Sequence, residues 1–251
     1  MIDIIGQIAV AAIPVILAIT LHEAAHGYAA LALGDDTARN AGRLSLNPLR
    51  HVDRVGTILL PGFLLVSQLL IPPHRVWFMF GWAKPVPVSA FKFRDPRRGM
   101  ALVATAGPAM NFFLAFLGAL LMPLPHGLLP SDVDPLDAAL AQHPFVGWFL
   151  LYFILSNLVL GLFNLLPIPP LDGGRIAVGL LPMGLARRWA RLERLGIVLV
   201  VLLVFLLPPL LSEFGINFDP FRDTLQTVIP WALNLLFQLT GHSLNGGVVH
   251  V

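Results

Sequence analysis

Apolar residues run through this chain in long unbroken stretches instead of alternating with polar positions. Five stretches are long enough to consider as membrane spans: Ile4–Leu33, Gly99–Met122, Phe145–Leu166, Leu195–Leu211 and Leu225–Leu239. A helix needs about 20 apolar residues, with a range near 17–25, to cross a bilayer. The last two stretches are at or below the short end of that range. The pattern predicts an all-α polytopic membrane protein with five to six spans.

A sixth apolar stretch, Val55–Ile71, is interrupted at its middle by Pro61-Gly62. Every Lys and Arg except Arg222 falls in segments that can all be cytoplasmic only if this stretch enters and leaves the membrane on the same side. Short cytoplasmic loops carry an excess of Lys and Arg, so we expect a re-entrant hairpin bent at Pro61-Gly62. The alternative, a sixth full span, places these basic residues outside: Arg75, Lys84, Lys92, Arg94, Arg97 and Arg98.

Composition agrees with a membrane protein. Hydrophobic residues make up 57% of the chain and charged residues only 12%, whereas soluble domains carry about 25% charged residues. The first twenty residues have no basic n-region and no small-residue cleavage site, which favours a retained helix over a signal peptide. The chain has no cysteine, so any metal ligands must be His, Asp or Glu.

The segment Val76–Ala90 differs from the spans because it mixes aromatic, β-branched and proline residues. Its aromatic and β-branched content is typical of a strand. Pro85 and Pro87 cannot donate ladder hydrogen bonds, which restricts such a strand to an edge. An aromatic belt at the membrane interface is the alternative, and both interpretations can hold together.

The motif HEAAH at His22–His26 lies inside the first apolar stretch. Residues four apart share one helix face, so both imidazoles can bind one ion, with Glu23 as the general base for a bound water. A central Asp, Lys or Arg in a membrane helix costs roughly 2.5–3.5 kcal/mol, and Glu23 should be comparably disfavoured. A divalent cation is the obvious compensating partner. The alternative is that the histidines only pack against helix neighbours or bind a second helix.

Catalytic zinc usually has three protein ligands, so a third ligand is needed. The remaining histidines fall in loops or at the tail: His51, His74, His126, His143, His242 and His250. Asp172 is the better candidate, because it follows a proline-broken stretch and precedes Gly173 and Gly174. Broken backbone at membrane depth is tolerated only where protein or a water-filled cavity covers it. The alternative role for Asp172 is to cap the following helix.

These residues resemble the site-2 protease family of intramembrane zinc metalloproteases, in its short bacterial branch without a PDZ domain. The resemblance rests mainly on three motifs in order: HEAAH at 22–26, AGPAMN at 106–111 and NLLPIPPLDGG at 164–174. It covers residues 15–180, and Arg54 and Ser89 depart from the expected proline and asparagine. It implies a three-helix catalytic core, a membrane-associated β element at Val76–Ala90, and cleavage of transmembrane helices.

On this basis we expect an intramembrane metalloprotease core at residues 1–182 and C-terminal transmembrane helices at 183–251. We expect one Zn²⁺ per chain on His22, His26 and Asp172, with Glu23 as the catalytic base. Asn111 or Asn164 can donate to the oxyanion or contact substrate, or can simply tie two helices together.

The expected partners are a transmembrane-helix substrate and the bilayer, with no nucleic acid. The expected location is a bacterial cell membrane, with the site in its cytoplasmic half and the N-terminus outside. The rival functions are a zinc transporter or metal-binding membrane protein and a catalytically silent scaffold.

Overall fold

The computed structural model describes residues 4–70, 82–124, 135–216 and 218–241. In these ranges the regular secondary structure is helical and no strand occurs, so the prediction of an all-α membrane protein is confirmed. The α-helices are α1 (Ile4–Ala32), α2 (Thr37–Asn40), α3 (Leu60–Leu70), α4 (Pro96–Leu121), α5 (Pro135–Gln142), α6 (Pro144–Asn164), α7 (Asp172–Leu180), α8 (Met183–Arg191), α9 (Gly196–Val201), α10 (Leu207–Glu213) and α11 (Pro220–Leu239).

Three of these helices are long and apolar enough to cross a membrane: Ala9–Ala32 in α1, Pro96–Leu120 in α4 and Pro144–Asn164 in α6. They match the first three predicted spans. Each of the three packs against the other two, and α7 packs against α4. Large apolar side chains point away from this bundle, among them Ile16 on α1 and Leu121 on α4, which are 46% and 68% exposed. A lipid environment accounts for such a surface, because it imposes no cost on exposed apolar side chains.

The two C-terminal stretches predicted as spans are also helical. Leu195 ends a 3₁₀-helix (Leu192–Leu195), and the rest of that stretch is divided among α9, a π-helical segment (Leu202–Leu206) and α10, while Leu225–Leu239 forms the second part of α11. Leu233 and Phe237 of α11 are fully buried in the main apolar core, and α11 contacts α4 and α6. That these segments cross the membrane stays a prediction.

The predicted bend at Pro61-Gly62 is not seen. Residues Arg54–Leu59 form a π-helix that continues directly into α3, so the backbone stays helical through Pro61-Gly62. Ile71 lies outside the described residues, so the re-entrant path stays a prediction. The predicted β element is described only from Trp82 onward, and residues 82–89 contain no strand. We call residues 82–89 the crossing segment.

The crossing segment is held through its backbone by residues that precede α3. The Lys84 amide donates to the His51 carbonyl at 2.8 Å, and the Trp82 amide donates to the Gly56 carbonyl at 3.1 Å. The Arg43 guanidinium donates to the Lys84 carbonyl at 2.8 Å and also to the Arg50 carbonyl. These bonds fix the path of the segment before it reaches the membrane helices.

A buried carboxylate anchors the other end of the crossing segment. Asp35, just after α1, is fully buried and accepts hydrogen bonds from the amides of Thr37 at 2.9 Å and Ser89 at 2.6 Å. The Lys92 ammonium lies 3.5 Å away. Burial raises the pKa of Asp35, but the hydrogen bonds from Thr37, Ser89 and Lys92 outweigh it, so this pKa lies below its ordinary value. The ionised carboxylate therefore joins α1 to the segment that leads into α4.

This anchor gives a pH-dependent stability. A carboxyl group whose pKa is lower in the folded than in the unfolded chain stabilises the fold above the unfolded pKa, near 3.9, and that stabilisation is lost as pH falls through the folded pKa. We expect the thermal unfolding midpoint to fall as the pH drops below about 4. Asp35→Asn should lower stability at pH 7 by about 1–3 kcal/mol, because its NH₂ group faces a backbone donor, and should flatten this pH dependence.

The matched control is Asp137→Asn, which changes an exposed carboxylate on α5. It should reproduce the wild-type profile of unfolding midpoint against pH. An Asp35→Asn protein with the wild-type midpoint at pH 7 and the same acid profile would contradict the anchoring role of Asp35.

Candidate metal centre

The two histidines of the HEAAH motif converge as their spacing predicts. His22 and His26 lie on consecutive turns of α1, and their Nε2 atoms are 3.1 Å apart. The rings meet edge to face, with an interplanar angle of 89°. His22 is 5% exposed, so this pair sits inside the helix bundle.

Asp172 reaches the same point from a different part of the chain. Its Oδ2 atom lies 3.1 Å from His22 Nε2 and 3.2 Å from His26 Nε2. The residue begins α7, and the cap position before it, Leu171, makes no side-chain cap bond. Gly173 permits this placement, because a Cβ there would collide with the carbonyls of Leu165 and Leu166. The turn after α6 therefore folds tightly enough to aim the carboxylate at α1.

The Nδ1 nitrogens of both rings face acceptors on α4. His26 Nδ1 donates to the Val103 carbonyl at 2.8 Å, and His22 Nδ1 lies 2.6 Å from Asn111 Oδ1. A carbonyl oxygen can only accept, so each Nδ1 carries the proton of its ring. A neutral imidazole has one N–H, which leaves a lone pair on each Nε2. Carbonyl or carboxylate partners of this kind are typical of metal-binding histidines.

The two Nε2 atoms and the Asp172 Oδ2 atom are suited to bind a cation. Two Nε2 lone pairs and one carboxylate oxygen lie within 3.2 Å of one another, and with this proton placement none of them donates. Asp172 Oδ2 is buried without a hydrogen-bond partner, an arrangement that is costly in a low-dielectric interior. Ligands at about 2.0–2.1 Å around tetrahedral zinc are about 3.3 Å apart, close to the separations observed. Within the described residues, this trio is the one group suited to hold a metal ion.

Glu23 lies beside the trio and faces the crossing segment. The Val86 amide donates to Glu23 Oε2 at 3.1 Å. Both residues line a cavity of about 370 Å³ that also contains His22, His26, Asp172 and Asn164. The carboxylate is therefore open to a space that can hold water or a peptide, and a backbone donor orients it.

The structure places the remaining candidates differently. Asn164 is half-buried on the cavity wall, with Nδ2 donating to the Leu160 carbonyl at 3.0 Å. Asn111 is fully buried, and both ends of its amide are engaged by other protein groups. Among the other histidines, His51 bonds the Ser45 carbonyl and His143 precedes α6, both away from the trio. His74, His126, His242 and His250 lie outside the described residues.

One polar side chain near the centre was not predicted. Asn157 of α6 is fully buried and accepts a hydrogen bond from Asn111 Nδ2 at 2.8 Å. An amide in the middle of an apolar stretch was the available signal, because polar residues inside membrane helices mark functional sites or helix contacts. The backbone groups of Val103 and Val86 carry no such signal, since their roles depend only on how the chain packs.

Gly107 explains the AGPAMN motif together with Asn111. A Cβ on Gly107 would lie 2.5 Å from both His22 Cε1 and His26 Nε2. The absence of a side chain thus lets α4 approach the imidazoles closely, and Asn111 follows one turn later to meet His22. Two residues of the motif therefore contact the candidate site: Gly107 leaves room for both rings, and Asn111 binds His22.

Comparisons with known proteins agree with this geometry. Residues 128–208 match peptidase family M50. The chain is 41% identical over 196 residues to a Bacillus subtilis protein named "Putative zinc metalloprotease YwhC", covering 78% of this chain and 80% of that protein. It is 31% identical over 205 residues to "Putative zinc metalloprotease Rip2" of Mycolicibacterium smegmatis, covering 79% and 67%. No solved structure matches the chain.

These matches, together with the three membrane-length helices, support a membrane metalloprotease. The chain belongs to peptidase family M50, the site-2 protease family. The family resemblance read from the motifs is confirmed.

The close approach at Gly107 gives a test of the centre. Gly107→Ala should displace both imidazoles, because close-packed interiors do not absorb an added methyl group without movement. We expect zinc affinity to fall at least about 10-fold, the lower end of the effect typical for groups that orient metal ligands. Metal analysis of the purified protein, with competition by a chromogenic chelator, measures this.

Gly118→Ala is the matched control, since it makes the same change on the same helix where the added Cβ meets the Ile154 side chain. It should bind zinc as the wild type does. A Gly107→Ala protein with wild-type zinc affinity would show that α4 does not constrain the histidines.

Proposed function

We propose that this protein is an intramembrane zinc metalloendopeptidase that hydrolyses peptide bonds within transmembrane segments of membrane-protein substrates. The observation that carries the proposal is the convergence of His22 Nε2, His26 Nε2 and Asp172 Oδ2 on one buried point beside Glu23. Membership of peptidase family M50 supports protease chemistry. The burial of the trio among three membrane-length helices supports cleavage within the bilayer.

The trio would hold one Zn²⁺ per chain. Neutral imidazoles and a carboxylate are ordinary zinc ligands, and three protein ligands leave a position for the reaction. When bound there, zinc supplies Lewis-acid polarisation of a carbonyl and lowers the pKa of a water molecule. The chain itself supplies orientation: Val103 and Asn111 hold the outer ring nitrogens, and the turn before α7 positions the carboxylate.

Glu23 is the proposed general base. Its carboxylate lines the cavity next to both histidines, so it can take a proton from the attacking water and later deliver it to the leaving amine. Positioned acid–base groups typically contribute 10²–10⁴-fold in rate. The Val86 amide bond to Oε2 supports this role, because it holds the carboxylate at one edge of the cavity.

Asn164 is the proposed donor to the developing oxyanion. It lines the cavity, and its Nδ2 has a second N–H besides the one given to the Leu160 carbonyl. A single donor of this type is worth about 10²–10³ in rate in other proteases. Asn111 is less suited to this role, because its amide is buried and is already bonded to His22 and Asn157.

The crossing segment is the proposed contact for substrate. A helical substrate hides its carbonyl groups in its own hydrogen bonds, so the scissile region must be extended before Glu23 and the zinc can act. The crossing segment borders the cavity with Trp82, Val86 and Val88, and its Pro85 and Pro87 lack N–H groups. Main-chain pairing with an added strand is a known recognition mode, and we propose that an unwound substrate strand pairs with this segment, which forms no strand by itself over residues 82–89.

The proposed membrane arrangement places the centre in the cytoplasmic half of a bacterial cell membrane, with the N-terminus outside. Contacts between basic segments support it, because they gather positive charge at one end of the bundle: Arg43 bonds Lys84, Lys92 pairs with Asp36, and Arg97 bonds the Leu181 carbonyl. Cytoplasmic ends are enriched in such residues. In this arrangement residues 1–182 form the protease core and 183–251 form additional spans.

A zinc transporter is the less favoured alternative. Transport requires ligands along a path, whereas the candidate ligands in the described part of the chain form one group. Glu23 also has no function in a transporter with that ligand set, while a hydrolase requires a base at its position. Zinc flux into liposomes, measured beside proteolysis, separates the two functions.

Glu23→Gln tests the chemistry directly. It should retain one zinc per chain and lower kcat for a purified transmembrane substrate at least about 10²–10⁴-fold, because the amide cannot accept the proton. Asp172→Ala should instead lose most of its zinc, because two neutral ligands remain. Wild-type activity should disappear with chelator and return with added Zn²⁺.

Glu213→Gln, an exposed carboxylate at the end of α10, is the control and should cleave at the wild-type rate. Wild-type turnover by Glu23→Gln would remove Glu23 from the mechanism. Full zinc retention by Asp172→Ala would remove Asp172 from the metal site.

A further inference from the structure

A line of buried amides connects the metal centre to α6. His22 Nδ1 meets Asn111 Oδ1 at 2.6 Å, Asn111 Nδ2 meets Asn157 Oδ1 at 2.8 Å, and Asn157 Nδ2 meets the Phe153 carbonyl at 2.8 Å. Both asparagines are fully buried. The line joins the three core helices, since His22 lies on α1, Asn111 on α4 and Asn157 on α6.

The direction of this line follows from its end on the backbone. The Phe153 carbonyl can only accept, so the Asn157 group facing it must be NH₂. The Asn157 oxygen then faces Asn111 and requires a donor there, which turns the Asn111 NH₂ towards α6 and its oxygen towards His22. An oxygen at that place accepts the Nδ1 proton of His22 and leaves a lone pair on Nε2.

The other contact of the Asn111 NH₂ group is weaker. It reaches the Ala18 carbonyl at 3.4 Å, beyond the usual 2.7–3.2 Å range for an N–H···O bond. The bond to Asn157 at 2.8 Å lies inside that range. A reversed Asn111 amide would present NH₂ to His22 Nδ1 and move the ring proton to Nε2, where it would block the metal.

We propose that Asn157 is a positioning residue for the metal centre: by fixing the Asn111 amide, it selects the His22 tautomer whose Nε2 lone pair can bind zinc. The proposal rests on the proposed function, because it takes His22 as a zinc ligand. Asn157 does not touch the zinc position and acts only through Asn111. Two hydrogen bonds, Asn157 to Asn111 and Asn111 to His22, connect it to the histidine ring.

The variant Asn157→Leu tests this role, because it removes the acceptor and keeps a side chain of similar length. We expect zinc affinity to fall about 10–100-fold, the effect usual for groups that orient metal ligands. Thermal stability should stay close to wild type, because leucine suits an apolar helix and single interhelical hydrogen bonds in membranes contribute little. Equilibrium competition with a chelator measures affinity, and thermal unfolding in the same detergent measures stability.

Leu158→Ala is the matched control, since Leu158 is buried on the same helix, next in sequence, and belongs to the apolar core. It should show the opposite pattern, with a lower unfolding temperature and unchanged zinc affinity. If Leu158→Ala lost as much zinc affinity as Asn157→Leu, the loss would reflect general destabilisation of α6. That result would overturn the proposal.

A readout without metal separates positioning from packing. In zinc-free protein, ¹⁵N NMR of labelled histidine should show His22 protonated at Nδ1 in the wild type and as a mixture of tautomers in Asn157→Leu. The same single tautomer and the same zinc affinity in both proteins would overturn the proposal while leaving the proposed function intact. A wild-type protein that binds no zinc would instead contradict the proposed function itself.

Discussion

Two imidazole nitrogens and a carboxylate oxygen meet inside an apolar helix bundle, and when both rings are neutral and protonated at Nδ1 all three atoms are acceptors. The Nε2 atoms of His22 and His26 and the Asp172 Oδ2 atom lie 3.1–3.2 Å apart. Lone pairs at that distance repel, and the low dielectric of the interior makes the repulsion costly. A divalent cation bound between the three atoms would remove the conflict and hold them together. The metal would thus be part of the folded core as well as of the chemistry.

Helix α4 is the element that makes this arrangement possible. It supplies the Val103 carbonyl and the Asn111 oxygen to the outer ring nitrogens, and Gly107 lets it approach both rings. α4 also packs against α1 and α7, which carry the candidate ligands, and against α6. α4 supplies no candidate ligand itself, yet it orients both histidines of the candidate metal centre. The Val86 amide of the crossing segment donates to Glu23 Oε2 and so links this segment to α1.

Much of this could be predicted from the sequence, because the strongest signals are local. The spacing of His22 and His26 places both on one helix face, and the apolar runs predict α1, α4 and α6. Asp172 could be chosen because prolines and glycines bracket it. The roles of Asn157, Val103 and Val86 could not be predicted, since they depend on which helices become neighbours. The bend expected at Pro61-Gly62 is not seen in the described residues, where a π-helix continues into α3. Local π-helical adjustments of this kind accommodate Pro and Gly in membrane helices, and the sequence pattern did not reveal them.

The central claim, one cation clamped between α1 and the start of α7, is tested most directly by zinc stoichiometry and X-ray absorption at the zinc edge on purified wild-type protein. The account predicts one zinc per chain, a first shell of nitrogen and oxygen at about 2.0–2.1 Å, and the scattering of two imidazoles. Zinc well below one per chain in active protein, or a shell with one or three imidazoles, would contradict it.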